Sequence, residues 1–175
     1  TLKTDFRCQV DHCYFNIDTR RVQQVMMNLL NNAVKYTQVG GTIEWSCRII
    51  KDDKNETIME HVISDNGPGM SPEFMKVMYE PFTQANSSPS TNGHGLGLAI
   101  VKKLADLMGA TIKCDSQLGK GTTFTLTVPH AKAAASEIEA YERKRQIADD
   151  QTSFEGCKML VCEDNSINAE IIKKI

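Results

Sequence analysis

Nothing in this chain of 175 residues approaches the run of about 18 apolar residues that spans a bilayer. Charge of one sign is equally lacking: 20 Lys+Arg stand against 22 Asp+Glu, interspersed, for a formal net charge of −2. The basic stripe of a nucleic-acid-binding surface is missing, so no nucleic acid is expected as a partner. The six cysteines form no C-x-x-C pair, and no His lies at zinc-finger spacing. Cys8, Cys13, Cys47, Cys114, Cys157 and Cys162 mostly sit in apolar, strand-like stretches and read as reduced core thiols of a cytosolic protein. The opening Thr1-Leu2-Lys3-Thr4 carries neither a Met nor a leader pattern, and the expectation is a piece of a longer protein. Apolar residues at 41% are enough for one domain with a proper core plus a remnant.

What is present is strongly patterned. Residues 5–17 read as a strand, and Asp18 or Thr19 caps the helix that follows. From Arg20 to Tyr36 the apolar residues Val22, Val25, Met26, Leu29, Leu30, Ala33 and Val34 recur at the spacing of one helical face. Residues 42–50 and 57–64 read as an antiparallel hairpin. Asp65-Asn-Gly-Pro-Gly-Met70 is a turn, and Ser71-Pro72-Glu73 starts a short helix through Tyr79. Residues 83–94 are small and polar, a loop expected to move. A helix is predicted from Gly95 to Met108, stopped by Gly109, then a last hairpin over 110–116 and 121–128. Residues 131–150 are rich in Ala, Glu, Lys and Arg with few apolar residues, as in a solvated helical linker. Lys158-Met-Leu-Val-Cys162 then resembles a buried parallel strand.

Three places carry chemistry. Asn28, Asn32 and Lys35 share one helical face. Asn32 can offer an amide oxygen to a hard cation, and Lys35 can reach a phosphate; a plain solvated face has the same composition. Asp65 stands at a strand end before Gly67 and Gly69, where a carboxylate can accept from the exocyclic amino group of a base, or simply close an Asx turn. Gly93, Gly95 and Gly97 run into an apolar helix, so unpaired amides at its start could face an anion; a tight turn has the same signature. No Lys-Ser/Thr follows as in a P-loop, and no strand leads directly in as in a dinucleotide fold.

In order, Asn28–Lys35, Asp65-x-Gly67-x-Gly69, Tyr79-Glu80-Pro81-Phe82, Gly93-x-Gly95-Leu96-Gly97-Leu98 and Gly119-x-Gly121-Thr122 resemble the N, G1, F, G2 and G3 boxes of the catalytic ATP-binding domain of sensor histidine kinases, in the GHKL ATPase superfamily. The resemblance covers residues 5–129. It implies an α/β fold, a two-layer sandwich of the Bergerat type, with a mixed, mostly antiparallel sheet and helices on one face. It implies ATP and Mg2+ as ligands, Asn32 as the magnesium ligand with Asn28 in support, and Lys35 and Tyr36 against the nucleotide. Asp65 would accept from the adenine amino group, with Gly67 and Gly69 lining the base pocket. Tyr79 and Phe82 match two aromatics that order the lid, which would be residues 83–94. Gly93, Gly95 and Gly97, with Leu96 and Leu98, would cradle the phosphates, and Thr122 or Thr123 would close the base end. His94 stands where the family has a small or polar residue; it either contacts a phosphate or faces solvent.

Residues 158–168 resemble the first strand and helix of a response-regulator receiver domain, and Glu163 and Asp164 match its acidic, magnesium-holding pair. The expected organisation is therefore a catalytic domain over 1–130, a linker over 131–156 and a receiver start over 157–175. The four histidines, His12, His61, His94 and His130, lack the His-Glu-Leu-Arg-like setting of a phosphoacceptor, which is expected upstream. Partners implied are that dimerisation domain, a receiver, and a downstream regulator or phosphotransfer protein. The location implied for this stretch is cytoplasmic without membrane contact, even if the whole protein is membrane-anchored. Two alternatives share the fold: the ATPase of a conformational machine, or a degenerate interaction domain. The former uses a glutamate base on the first helix, and this chain has no acid between Asp18 and Glu44.

Overall fold

The computed structural model describes residues 3–8, 14–54, 56–85 and 94–151. The chain divides into two compact units, Thr1–Ala133 and Ala134–Ile175. In the first, α1 (Thr19–Tyr36) begins where the Asp18 side chain accepts the Arg21 amide at 3.1 Å. The carboxylate satisfies a donor that the helix itself cannot. The predicted apolar face is the one buried, through Val25, Met26, Leu29 and Ala33.

Strands β3 (Thr42–Asp52) and β4 (Glu56–Asp65) form the expected hairpin, longer than predicted at its turn end. β5 (Thr111–Gln117) and β6 (Gly121–Lys132) form the second. β6 also pairs along β4, joining the hairpins into one sheet. The stretch 5–17 departs from its single-strand expectation. It yields β1 (Lys3–Cys8), parallel to β3, and β2 (Phe15–Asn16), antiparallel to the end of β6. The strand order β1-β3-β4-β6-β2 puts these two pieces on opposite edges, which one continuous strand cannot reach. All pairings except β1 with β3 are antiparallel, so the sheet is mixed and mostly antiparallel.

One face of the sheet carries the core. Ile43, Ile63, Phe124, Leu126 and Val128 point from β3, β4 and β6 into a cluster with α1 and with Val101 and Ala105 of α3 (Gly97–Leu107). Leu29, Ile63, Leu126, Val25 and Val101 are each at most 2% exposed, and burying such a side chain contributes roughly 1.5–3 kcal/mol. The short α2 (Pro72–Val77) starts at Ser71, whose hydroxyl accepts the Phe74 amide at 3.1 Å. It stops two residues before the predicted Tyr79. Cys47 and Cys114 are free thiols, buried and half-buried; burial pushes the Cys114 thiol up to about 12, so it stays protonated and inert. Cys13, Cys157 and Cys162 lie outside the described residues.

The second unit is described by α4 (Ala135–Gln151). Its side chains to Arg145 are polar nearly all round and, apart from Ile138, exposed.

Candidate functional site

A cavity of about 860 Å³ opens between α1, the end of β4, α2 and the start of α3. Its floor is apolar, from Leu29, Ala33, Ile63, Met70, Met78 and Phe124. Leu29 and Ala33 belong to the apolar face of α1 expected from the sequence as packing, whereas Ile63, Met70, Met78 and Phe124 were not singled out there.

The base of the cavity is set by Asp65, the last residue of β4. Its Oδ1 accepts the Gly67 amide at 2.9 Å, which is the Asx turn anticipated at this position. Burial raises the Asp65 carboxyl above its ordinary 3.8, while the backbone amides of Gly67 and Thr122 pull it back. The loop that follows is braced three times. Asn66 Oδ1 accepts the Thr42 amide at 2.7 Å, the Pro68 carbonyl accepts the Gly119 amide at 2.7 Å, and Ser116 Oγ accepts the Met70 amide at 2.8 Å. Gly69 has φ +67°, and a Cβ there would overlap the Gln117 carbonyl. Gly121 has φ +106°, and its Cβ would overlap the Asp65 carbonyl oxygen. Only glycine fits either position.

The other end is built from helix starts and amides. Asn28, Asn32, Lys35 and Tyr36 all line the cavity from α1. The Lys35 ammonium lies 5.0 Å from the centre of the Tyr36 ring. The helix opposite them begins at Gly97, two residues later than predicted. Leu96 stands at its cap and provides no side-chain hydrogen bond. Its first amides are thus left without a side-chain acceptor, at the positive end of the helix. The two ends of this arrangement meet closely: a Cβ on Gly97 would lie 3.4 Å from Asn28 Oδ1 and 4.0 Å from Asn32 Oδ1. His94, Gly95, Leu96 and Leu98 complete this wall.

Other predicted site residues lie elsewhere. Gly67 is buried under the turn and does not line the cavity. Thr122 lines it, whereas Thr123 does not; strand alternation turns the Thr123 hydroxyl to the other face, 2.9 Å from Ser64 Oγ. Tyr79 is half-buried beside the cavity, its hydroxyl without a partner among the described residues and its pKa raised by burial to about 12. Phe82 is 74% exposed at φ +65° and participates through its backbone, its N–H donating to the Gly95 carbonyl at 3.0 Å. Gly93, Glu163 and Asp164 lie outside the described residues. Among the described residues no cluster of three His, Cys, Asp or Glu side chains is placed to hold a metal.

Residues 17–132 match the family described as histidine kinase-, DNA gyrase B-, and HSP90-like ATPase. The chain is 37% identical over 164 residues to the autoinducer 2 sensor kinase/phosphatase LuxQ of Vibrio vulnificus, a match that spans 92% of this chain and 19% of that protein. Among solved structures it resembles full-length ShkA in complex with AMPPNP, with a TM-score of 0.62 and 30% identity over 77% of this chain and 27% of that one. It also resembles the mycobacterial sensor histidine kinase MprB, with a TM-score of 0.59 and 25% identity over 75% of this chain and 84% of that one. The chain thus spans about a fifth of the length of the curated relative it matches.

Proposed function

The chain belongs to the histidine kinase-, DNA gyrase B-, and HSP90-like ATPase family, and from that premise we propose that it is the part of a two-component sensor histidine kinase that binds Mg-ATP and presents the γ-phosphoryl group. The single observation that carries this reading is the composition of one cavity. A half-buried carboxylate sits at one end, and at the other the side-chain amides of α1 face a helix start without a side-chain cap. The first suits the amino edge of adenine, the second a chain of phosphates. Asp65 would hold the base over the apolar floor, and the α3 amides with Lys35 would hold the phosphates.

Magnesium fits the residues present. Asn32 Oδ1 is a hard oxygen donor close to Gly97, and a cation that keeps several waters needs only one or two protein ligands beside the phosphates. Bound there by Asn32, with Asn28 alongside, it would supply charge neutralisation around the transferring phosphoryl group. Asn28 spends its amide N–H on the Gln24 carbonyl at 2.9 Å, which leaves its oxygen free to face the site. Residues 83–94 would form the lid over the nucleotide, and Gly93 its phosphate edge.

The acceptor histidine would stand on a dimerisation domain upstream, and the phosphoryl group would pass on to a receiver aspartate. Residues 131–156 would be the linker and 157–175 the start of that receiver, with Glu163 and Asp164 in its cation site. The described helices include none long and apolar enough to cross a membrane, and a cytoplasmic location is proposed for this stretch. Calorimetric titration of ATP and ADP, with and without magnesium, tests the site. Micromolar or tighter binding that strengthens with magnesium is expected, and no detectable affinity for either nucleotide sinks the reading.

A further inference from the structure

Thr122 has two donors, and both are already committed to protein groups. Its amide helps to hold the Asp65 carboxylate. Its hydroxyl lies 2.9 Å from Ser116 Oγ, the residue opposite it across the β5–β6 pair. Ser116 itself has one hydrogen and two lone pairs. The hydrogen goes to the Gly121 carbonyl at 2.9 Å, because a carbonyl can only accept. One lone pair takes the Met70 amide at 2.8 Å. The remaining lone pair can only receive a hydrogen, and the group that faces it is the Thr122 hydroxyl.

We infer that Ser116 is a positioning residue that fixes the direction of the Thr122 hydroxyl, so that Thr122 offers the cavity an acceptor and never a donor. Together with the Asp65 carboxylate it makes the polar end of the cavity accept-only. Such an end can take both hydrogens of a 6-amino group; it opposes a 6-oxo group, beside which only the single N1–H is left to donate. Selection between purines is thereby set by a serine that does not line the cavity. The inference rests on the nucleotide reading proposed above, and it extends that reading from affinity to discrimination.

The test compares ADP with inosine diphosphate, which exchanges the amino group for an oxo group, by calorimetry on the whole 175-residue chain. In Ser116→Ala the Thr122 hydroxyl is free to turn and donate, so the preference for ADP over inosine diphosphate is expected to fall about fivefold, roughly the worth of one neutral hydrogen bond. Ser116→Thr restores the preference. A purely structural loss weakens both ligands by the same factor and leaves the ratio where it was, which overturns the inference. Thr122→Val guards against a Ser116→Ala chain that does not fold, because it removes the acceptor without touching the Met70 brace. It is expected to lower the same ratio, and in its background Ser116→Ala has no further effect on that ratio. If the unaltered chain binds ADP and every ratio is unchanged, the hydroxyl assignment is wrong while the nucleotide reading stands. If it binds neither nucleotide, both fall.

Discussion

The two ends of the cavity are made in opposite ways. At the Asp65 end nearly every polar group is already spoken for. Asp65, Asn66, Pro68 and Met70 are each held by a hydrogen bond of 2.7–2.9 Å. Two glycines fit so tightly that no side chain could replace their hydrogen. At the Asn32 end the polar groups are more open: α3 starts without a side-chain cap, and the side-chain amides of Asn28 and Asn32 face it at close range. A planar base rewards a fixed slot, because a rigid acceptor loses little on binding. A hydrated phosphate chain with its cation rewards donors that are still free to be taken.

Substitutions and acidification break or sharpen that contrast. The largest effect is expected from Gly69→Ala. Backbone strain at φ +67° costs about 1–3 kcal/mol, and overlap with the Gln117 carbonyl adds to it. The unfolding midpoint drops and ADP binding is lost; an unchanged midpoint shows that the base end is softer than described. Asp65→Asn comes next. Losing a charged acceptor, worth about 1.5–3 kcal/mol, weakens ADP roughly ten- to a hundredfold, while tripolyphosphate binding stays as it was. Asn32→Ala is expected to act at the other end only. It removes the gain that magnesium gives to ATP affinity and leaves magnesium-free ADP binding within about twofold, of the order of one uncharged contact at an open site.

Acidification separates the ends by a smaller amount. The Asp65 carboxyl titrates above its ordinary 3.8, so it loses its charge earlier than a free aspartate as pH falls, and ADP affinity declines from there. Phosphate affinity follows a different profile. The fold has its own acid dependence. His61 and His130 are held below the usual 6.5, both by burial and His61 also by the His130 charge. The folded state prefers both rings neutral, so stability is full above 6.5 and is lost as pH falls through their lowered values. Thermal unfolding between pH 7.5 and 5 reads this, and His61→Leu flattens it. The smallest change is Phe82→Gly. Relieving a non-glycine residue at φ +65° is expected to raise stability by up to about 1–2 kcal/mol.

Most of the architecture was legible in the sequence because its periodicities are strong. The apolar stripe of α1 predicts the face that is observed to be buried, and the two hairpins form where they were expected. The stretch 5–17 was misread because local β propensity says nothing of which edge a strand joins; β1 and β2 are assigned by tertiary pairing alone. The polar ligands of the cavity stood out by type and spacing. Thr122 could not be told from Thr123 until strand alternation was fixed to a face. Ser116 was invisible, since its role depends on three partners that only the fold brings to it, Met70 from the turn after β4 and Gly121 and Thr122 from β6.

The hydrogen bond from Phe82 to Gly95 joins the two feet of the segment between them. A loop fastened at its feet can change in length without disturbing what it is fastened to. Doubling the twelve residues 83–94 would cost only about 0.6 kcal/mol in closure entropy. This staple therefore lets the number of residues between Phe82 and Gly95 change at small cost, while the braced turn after Asp65 stays as it is.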